Sequence, residues 1–243
     1  YKLLGGGRTA LETDLPISVN HPEPLAKDAA HAVSQGYRAL KIKVGENPEL
    51  DLARLRAVRA AAPEAVVRID ANQAWTPRQA VELLEAMQAE GMNLELVEQP
   101  VKARDLEGLA FVTAHSPVPV MADESVFSPL DAMTILQNHG ADYINIKLMK
   151  CGGLSDALRI VSAAQVYGVE CMIGCMLEAK VSVTAAVHLA CAKGTITKVA
   201  LDGPVLCSAA PVVGGANFSG RDITLTDGPG LGISAVSNLR YLD

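Results

Sequence analysis

The sequence predicts an α/β fold, a parallel (β/α)7β barrel, on three observations. Eight short β-rich runs recur at spacings of roughly 25 to 30 residues, the length of one β/α unit. Ala-rich segments of helical period fill the seven gaps between them. The first turn after a strand carries no G-x-G-x-x-G, which argues against an open, dinucleotide-binding sheet.

The first run, residues 14–20, leads into a helix-periodic segment at about 24–35, closed by Gly36. Residues 39–44 follow, then a helical segment at 48–61. The third run, 65–70, precedes a helix at 77–90 that Thr76-Pro77 opens, an N-cap with proline at the first helical position, and that Gly91 closes. Residues 94–98 lead to a helix at 105–115, and residues 118–123 to one at 129–139, opened by Ser128-Pro129 and closed by Gly140. The run 143–148 is followed by 154–167 and Gly168, and the run 170–174 by 180–192 and Gly194. The eighth run is 196–201. Beyond it the pattern breaks: residues 203–243 hold seven glycines and several turn signals, so no eighth barrel helix is expected there.

With 49% hydrophobic and 20% charged residues, the 243-residue chain can bury a large core. Its net charge of −6, with no basic stripe, argues against a nucleic-acid surface. No apolar run reaches the length of a membrane span and no signal peptide opens the chain, so a cytoplasmic protein without membrane contact is expected. The first residue is Tyr1, as in a processed, trimmed or incomplete chain. Cys151, Cys171, Cys175, Cys191 and Cys207 match no zinc spacing and lie in apolar surroundings, which predicts reduced, buried thiols.

Barrels of this kind place their chemistry where strands end, on the C-terminal face. The second run ends in Lys41 and Lys43, spaced to point to one side, where mutual repulsion lowers the pKa of each. Asp70, Glu98, Asp123 and Lys147 end the next four runs at intervals of 28, 25 and 24 residues, one β/α unit each. Any one such carboxylate is more often a cap or a surface charge, and Asp70 is within reach of Arg68. Three in register, with no protein cation among them, call for a hard divalent ion, Mg²⁺ or alternatively Mn²⁺. Strands two and six of eight stand opposite each other, so Lys43 and Lys147 flank the carboxylates. That arrangement suits removal of a proton α to a carboxylate on one face and its return on the other, the metal stabilising the enediolate.

Taken together, Lys41-Ile-Lys43, Arg68-Ile-Asp70-Ala-Asn72, Val97-Glu98-Gln-Pro100, Ala122-Asp123-Glu124-Ser125 and Asn145-Ile-Lys147 resemble the signature blocks of the enolase superfamily, muconate-lactonising subgroup. The resemblance spans about residues 10–235 and implies a TIM-like barrel with Asp70, Glu98 and Asp123 as metal ligands and Lys43 and Lys147 as the acid/base pair. It implies that Lys41 holds the substrate carboxylate and tunes Lys43, with Asn72, Glu124 and Asn145 supporting these groups. The stretches Lys147-Leu-Met-Lys-Cys-Gly-Gly153 and Gly174-Cys-Met-Leu-Glu178 look most like dipeptide epimerases of the L-Ala-D/L-Glu type, which sets Cys175 against the substrate. That group carries an Asp-x-Asp at the end of the eighth strand for the substrate ammonium. Here Ala200 stands first and Asp202 alone is left to hold the ammonium, although Asp202 also suits a plain turn before Gly203.

The superfamily usually sets an α+β capping domain before the barrel, with loops that close over the substrate. The expected division is residues 1–12 as a remnant or linker of such a domain, 13–213 as the barrel, and 214–243 as a tail that packs on a capping domain, itself absent from this chain. Without a lid, water exclusion and specificity both suffer. The implied function is a Mg²⁺-dependent isomerase that epimerises a dipeptide or related amino acid derivative by 1,1-proton transfer through an enediolate. A cycloisomerase, an N-acylamino acid racemase or an o-succinylbenzoate synthase would share the same metal and lysines, but would leave Asp202 without a cationic partner. A cap-less, non-catalytic scaffold is the reading from another class, and the intact set of five blocks argues against it. A homo-oligomer is expected by analogy.

Overall fold

In the computed structural model, which describes residues 1–207 and 211–239, every expected run becomes a strand of one eight-stranded parallel sheet. Residues 208–210 and 240–243, which fall in the expected barrel and tail, lie outside the described residues. A short strand β1 (Ala10–Glu12) precedes the sheet. Its strands are β2 (Leu15–Ile17), β3 (Ala39–Lys43), β4 (Val66–Asp70), β5 (Leu94–Glu98), β6 (Val120–Ala122), β7 (Tyr143–Lys147), β8 (Glu170–Gly174) and β9 (Ile196–Ala200), neighbours in chain order throughout. The seam between first and last is bridged where Asp14 N donates to Val199 O (3.0 Å) and Leu201 N to Thr13 Oγ1 (2.8 Å).

Burial on both faces explains the apolar runs. Outward residues such as Leu40, Ile42 and Ile69 join one large core with the helices, while Leu96, Met121, Met172 and Ala200 form a second cluster with Tyr143 packed on it. Polar groups close the lower end. Arg68 donates to Asp14 (2.8 Å) and Glu95 (2.5 Å), and Lys198 lies 4.1 Å above the Tyr143 ring. Arg68 thus faces down the barrel to Asp14 and Glu95, and its suggested pairing with Asp70 does not form.

The helices are α1 (Pro22–Ser34), α2 (Pro48–Ala61), α3 (Pro77–Ala89), α4 (Leu106–His115), α5 (Pro129–Gln137), α6 (Leu148–Cys151), α7 (Leu154–Tyr167) and α8 (Lys180–Ala192). Thr76 and Gln79 make the reciprocal capping box that starts α3, and Ser128 caps α5. Two expected glycine caps differ. At the end of α5 the left-handed residue is His139 (φ 50°), and Gly140 instead packs against Ile135, while α8 runs out into extended backbone at Lys193. The one-turn α6 was not expected. Leu148 leaves the strand because Gly152, in the left-handed region, returns its N–H to Leu148 O.

Among the described residues no helix follows β9 beyond the turn Gly203–Leu206. Strands β10 (Val212–Gly214) and β13 (Ile233–Val236) pair, and β12 (Asp222–Thr224) lies between β11 (Asn217–Ser219) and β1. The segments before and after the barrel therefore share a small sheet. Cys151, Cys171 and Cys191 are buried as expected, whereas Cys175 is half-buried and Cys207 exposed, because both follow the ends of strands on the open face. Among the described residues no helix is long and apolar enough to cross a membrane.

Candidate active site

Register sets the floor of the site. Lys43 is the partner of Asp70 across β3 and β4, and Asp70 of Glu98 across β4 and β5. Asp123 stands just past β6, two positions beyond Met121, the register partner of Glu98. Lys147 closes β7 opposite Gly174. With β4, β5 and β6 between them one way and β8, β9 and β2 the other, β3 and β7 hold Lys43 and Lys147 on opposite sides of the mouth.

All three carboxylates are buried, and each has an amine against it. Lys43 Nζ donates to Asp70 (2.6 Å) and to Asn72 Oδ1 (2.7 Å). Lys41 donates to Glu98 Oε2 (2.5 Å), whose Oε1 accepts from Asn145 Nδ2 (2.7 Å). Asp123 accepts from Lys147 (2.6 Å) and Lys150 (2.5 Å). Glu124 accepts from Asn72 (3.2 Å) and Gln73 (3.3 Å), and its other oxygen, Oε2, has no partner among the described residues. Every predicted site residue is thus at the mouth, yet the expectation of acids without protein cations fails: long lysine stems from neighbouring strands reach into the same low-dielectric space and neutralise them.

For Lys41 the pairing overturns the expected lowering. Burial works to lower Lys41, but Glu98, Asp14 and Asp70 more than reverse it and the amine is raised. Lys147 follows the same pattern through Asp123 and Glu98. Burial, then Asp70, pushes Glu98 up to about 7, while Lys150 and Lys147 outweigh burial and hold Asp123 well below the usual carboxylate range.

Above this floor opens a cavity of about 360 Å³, lined among others by Lys43, Asn72, Asp123, Glu124, Lys147 and Cys175. A deeper pocket of about 120 Å³ adjoins it and is walled by Lys41, Asp70, Cys175, Ala200 and Asp202. Cys175 Sγ lies 3.8 Å from Asp202 Oδ1, and burial pushes this thiol up to about 12. Asp202 makes the foreseen turn, its carbonyl accepting from Val205 N (3.0 Å), and it lines the deeper pocket.

Lys150 and Gln99 escaped sequence reasoning. Lys150 is three residues past Lys147, one helical turn on, and that spacing was readable. Gln99, fully buried at φ 37°, accepts through Oε1 from the N–H groups of Asp123 (2.9 Å) and Ser125 (3.1 Å) and so positions Asp123.

Hard oxygens on three successive strands form a donor set suited to Mg²⁺. Among the described residues no three acidic, His or Cys side chains are gathered closely enough to hold an ion as they stand. The fit therefore rests on donor chemistry, and an ion would compete for these oxygens with Lys43 on Asp70, Lys41 on Glu98, and Lys147 and Lys150 on Asp123.

Comparison with known proteins agrees with this geometry. A profile of the family described as enolase C-terminal domain-like matches residues 24–237. A protein named L-Ala-D/L-Glu epimerase from Clostridium acetobutylicum is 59% identical over 239 residues, covering 98% of this chain and 67% of that protein. The solved structure of a substrate-liganded L-Ala-D/L-Glu epimerase from Bacillus subtilis is similar with a TM-score of 0.94 at 45% identity, over 97% of this chain and 66% of that one. A dipeptide epimerase from Enterococcus faecalis, complexed with Mg and the dipeptide L-Leu-L-Tyr, gives a TM-score of 0.93 at 44% identity, over 96% and 66%. The chain spans about two thirds of the length of these relatives.

Proposed function

Since the chain belongs to the enolase C-terminal domain-like family, we propose that its barrel mouth epimerises a dipeptide of the L-Ala-D/L-Glu type by Mg²⁺-dependent 1,1-proton transfer. One observation carries this reading: two lysine amines on opposite strands of a single mouth, with three carboxylates on or beside the strands between them. Relatives named for dipeptide epimerisation, one of them complexed with Mg and a dipeptide, support it.

Asp70, Glu98 and Asp123 would hold the ion, which supplies the positive charge that stabilises the anion formed when a proton α to a carboxylate leaves. Lys43 and Lys147 divide the proton work. One takes the α-proton from one face, and the other delivers a proton to the opposite face, so the centre inverts. Reversal of these roles runs the reaction backwards. Lys41, held down by Glu98, keeps its charge at the pocket wall as a partner for the substrate carboxylate. Met176, Leu177 and Leu206 give the outer cavity an apolar edge. With all five cysteines unpaired, the cytoplasm is the compartment we assign.

The test is α-hydrogen exchange into L-Ala-L-Glu and L-Ala-D-Glu in deuterated water, run on the full-length protein with Mg²⁺ and again after chelation. Exchange with inversion that stops on chelation is expected. Unchanged exchange in the presence of chelator, or none in either sample, contradicts the proposal.

A further inference from the structure

One buried polar atom beside the candidate bases has nothing to bind. Asn145 lies on β7 and is fully buried. Its Nδ2 donates to Glu98 Oε1 (2.7 Å), and its backbone carbonyl accepts from Lys150 Nζ (3.1 Å). Its Oδ1, however, has no hydrogen-bond partner among the described residues. A buried amide oxygen left unpaired is costly, and it marks a place where a donor belongs. Alternation along β7 sets Asn145 on the same side of the strand as Lys147, two residues before it. Across from Lys147 on β8 stands its register partner, Gly174. A Cβ at Gly174 would meet Asn145 Oδ1 at 2.7 Å and Lys147 Cε at 3.2 Å, so both atoms border the one gap that the glycine leaves open. Gly174 and Lys147 also share the wall of the deeper pocket.

Lys147 Nζ is now drawn to Asp123 Oδ2 (2.6 Å), an oxygen for which an ion would compete. The other two carboxylates offer the amine little. Glu98 has both oxygens taken, by Lys41 and Asn145, and Asp70 by Lys43 and the Asn72 N–H. The unclaimed acceptor beside the Lys147 stem is Asn145 Oδ1. We infer that Asn145 is a positioning residue for Lys147: its Oδ1 takes the amine once Asp123 is given up to the ion, and so aims Nζ along the wall of the deeper pocket. Through Nδ2 the same amide holds Glu98, so one side chain ties the acidic floor to one lysine of the pair. The inference rests on the epimerase reading above and adds what sets the aim of one of its two bases.

Two measurements on the full-length protein test it. A crystal structure of the wild type loaded with Mg²⁺ should show Lys147 Nζ about 2.7–3.2 Å from Asn145 Oδ1. Lys147 still on Asp123 in the loaded protein, or turned away from Asn145, overturns the inference. The second measurement follows α-deuterium incorporation into L-Ala-L-Glu and L-Ala-D-Glu for wild type and Asn145→Leu at saturating Mg²⁺, with Mg²⁺ affinity read by calorimetry. Asn145→Leu should lose about ten- to a hundredfold of the exchange into one epimer, the same one that Lys147→Ala fails to exchange, as befits a misaimed base. Exchange into the other epimer and KM for both should stay within about threefold. Asn145→Ala serves if the leucine variant does not fold, with the same asymmetry expected. Equal loss for both epimers, as when Asn145 acts only through Glu98, overturns the inference, and so does wild-type exchange in the variant. Either result leaves the epimerase reading in place. A wild type that exchanges neither epimer overturns both.

Discussion

Gln99 and Cys171 show how much a single buried polar group governs here. The Gln99 amide satisfies two backbone donors that would otherwise be orphaned under Asp123, and its Nε2 donates to Ser125 Oγ (2.8 Å) and Val101 O (3.0 Å). Cys171 is fully buried on β8, and burial pushes its thiol up to about 12. The direction of the pH effect follows. In the unfolded chain the thiol ionises near ~8.5, while the folded chain keeps its proton up to about 12. The stability this proton contributes is complete below the unfolded value and is lost as pH rises through the interval. The cost is at most about 1.4 kcal/mol per pH unit for the one group. Urea midpoints should therefore fall between neutral pH and alkali, and Cys171→Ala should fall less steeply; parallel curves for the two proteins would contradict the assignment.

At the scale of elements, strands place the chemistry and loops decide how it is shared. The three acids proposed to hold the ion and both candidate bases were legible because each closes a β-rich run, and alternation along a strand then fixes which way it points. Ion pairs between strands were not legible, since strand spacing gives no account of how far a lysine stem reaches. The spacing of Lys150 from Lys147 could be read but went unused because the one-turn helix α6 was not expected, and the seam contacts of Asp14 were not legible because they join segments almost 190 residues apart in sequence. The neighbouring β8 has its own part. A Cβ on Gly174 would stand 2.7 Å from Asn145 Oδ1 and 3.2 Å from Lys147 Cε. Gly174→Ala should lower kcat by about ten- to a hundredfold through displacement of Lys147. Overpacking at the same site should cost about 1–2 kcal/mol in unfolding measurements. Full activity in that variant would show that Lys147 does not depend on this space.

For the whole molecule, a closed parallel sheet holds acids and amines in one mouth, and the chain before and after the barrel joins in a small sheet through β1 and β12. Phe127, Met176, Leu177 and Leu206 leave an exposed apolar rim around that mouth. The proposed reaction needs two amines working from opposite faces of one carbon. Its most direct test follows α-deuterium incorporation into each epimer separately with Lys43→Ala and Lys147→Ala proteins. Each variant should lose epimerisation in both directions by at least ~100-fold, the share of one acid/base group, yet still exchange the α-hydrogen of one epimer, a different one for each variant. Continued racemisation by either variant, or exchange of the same epimer by both, would contradict it.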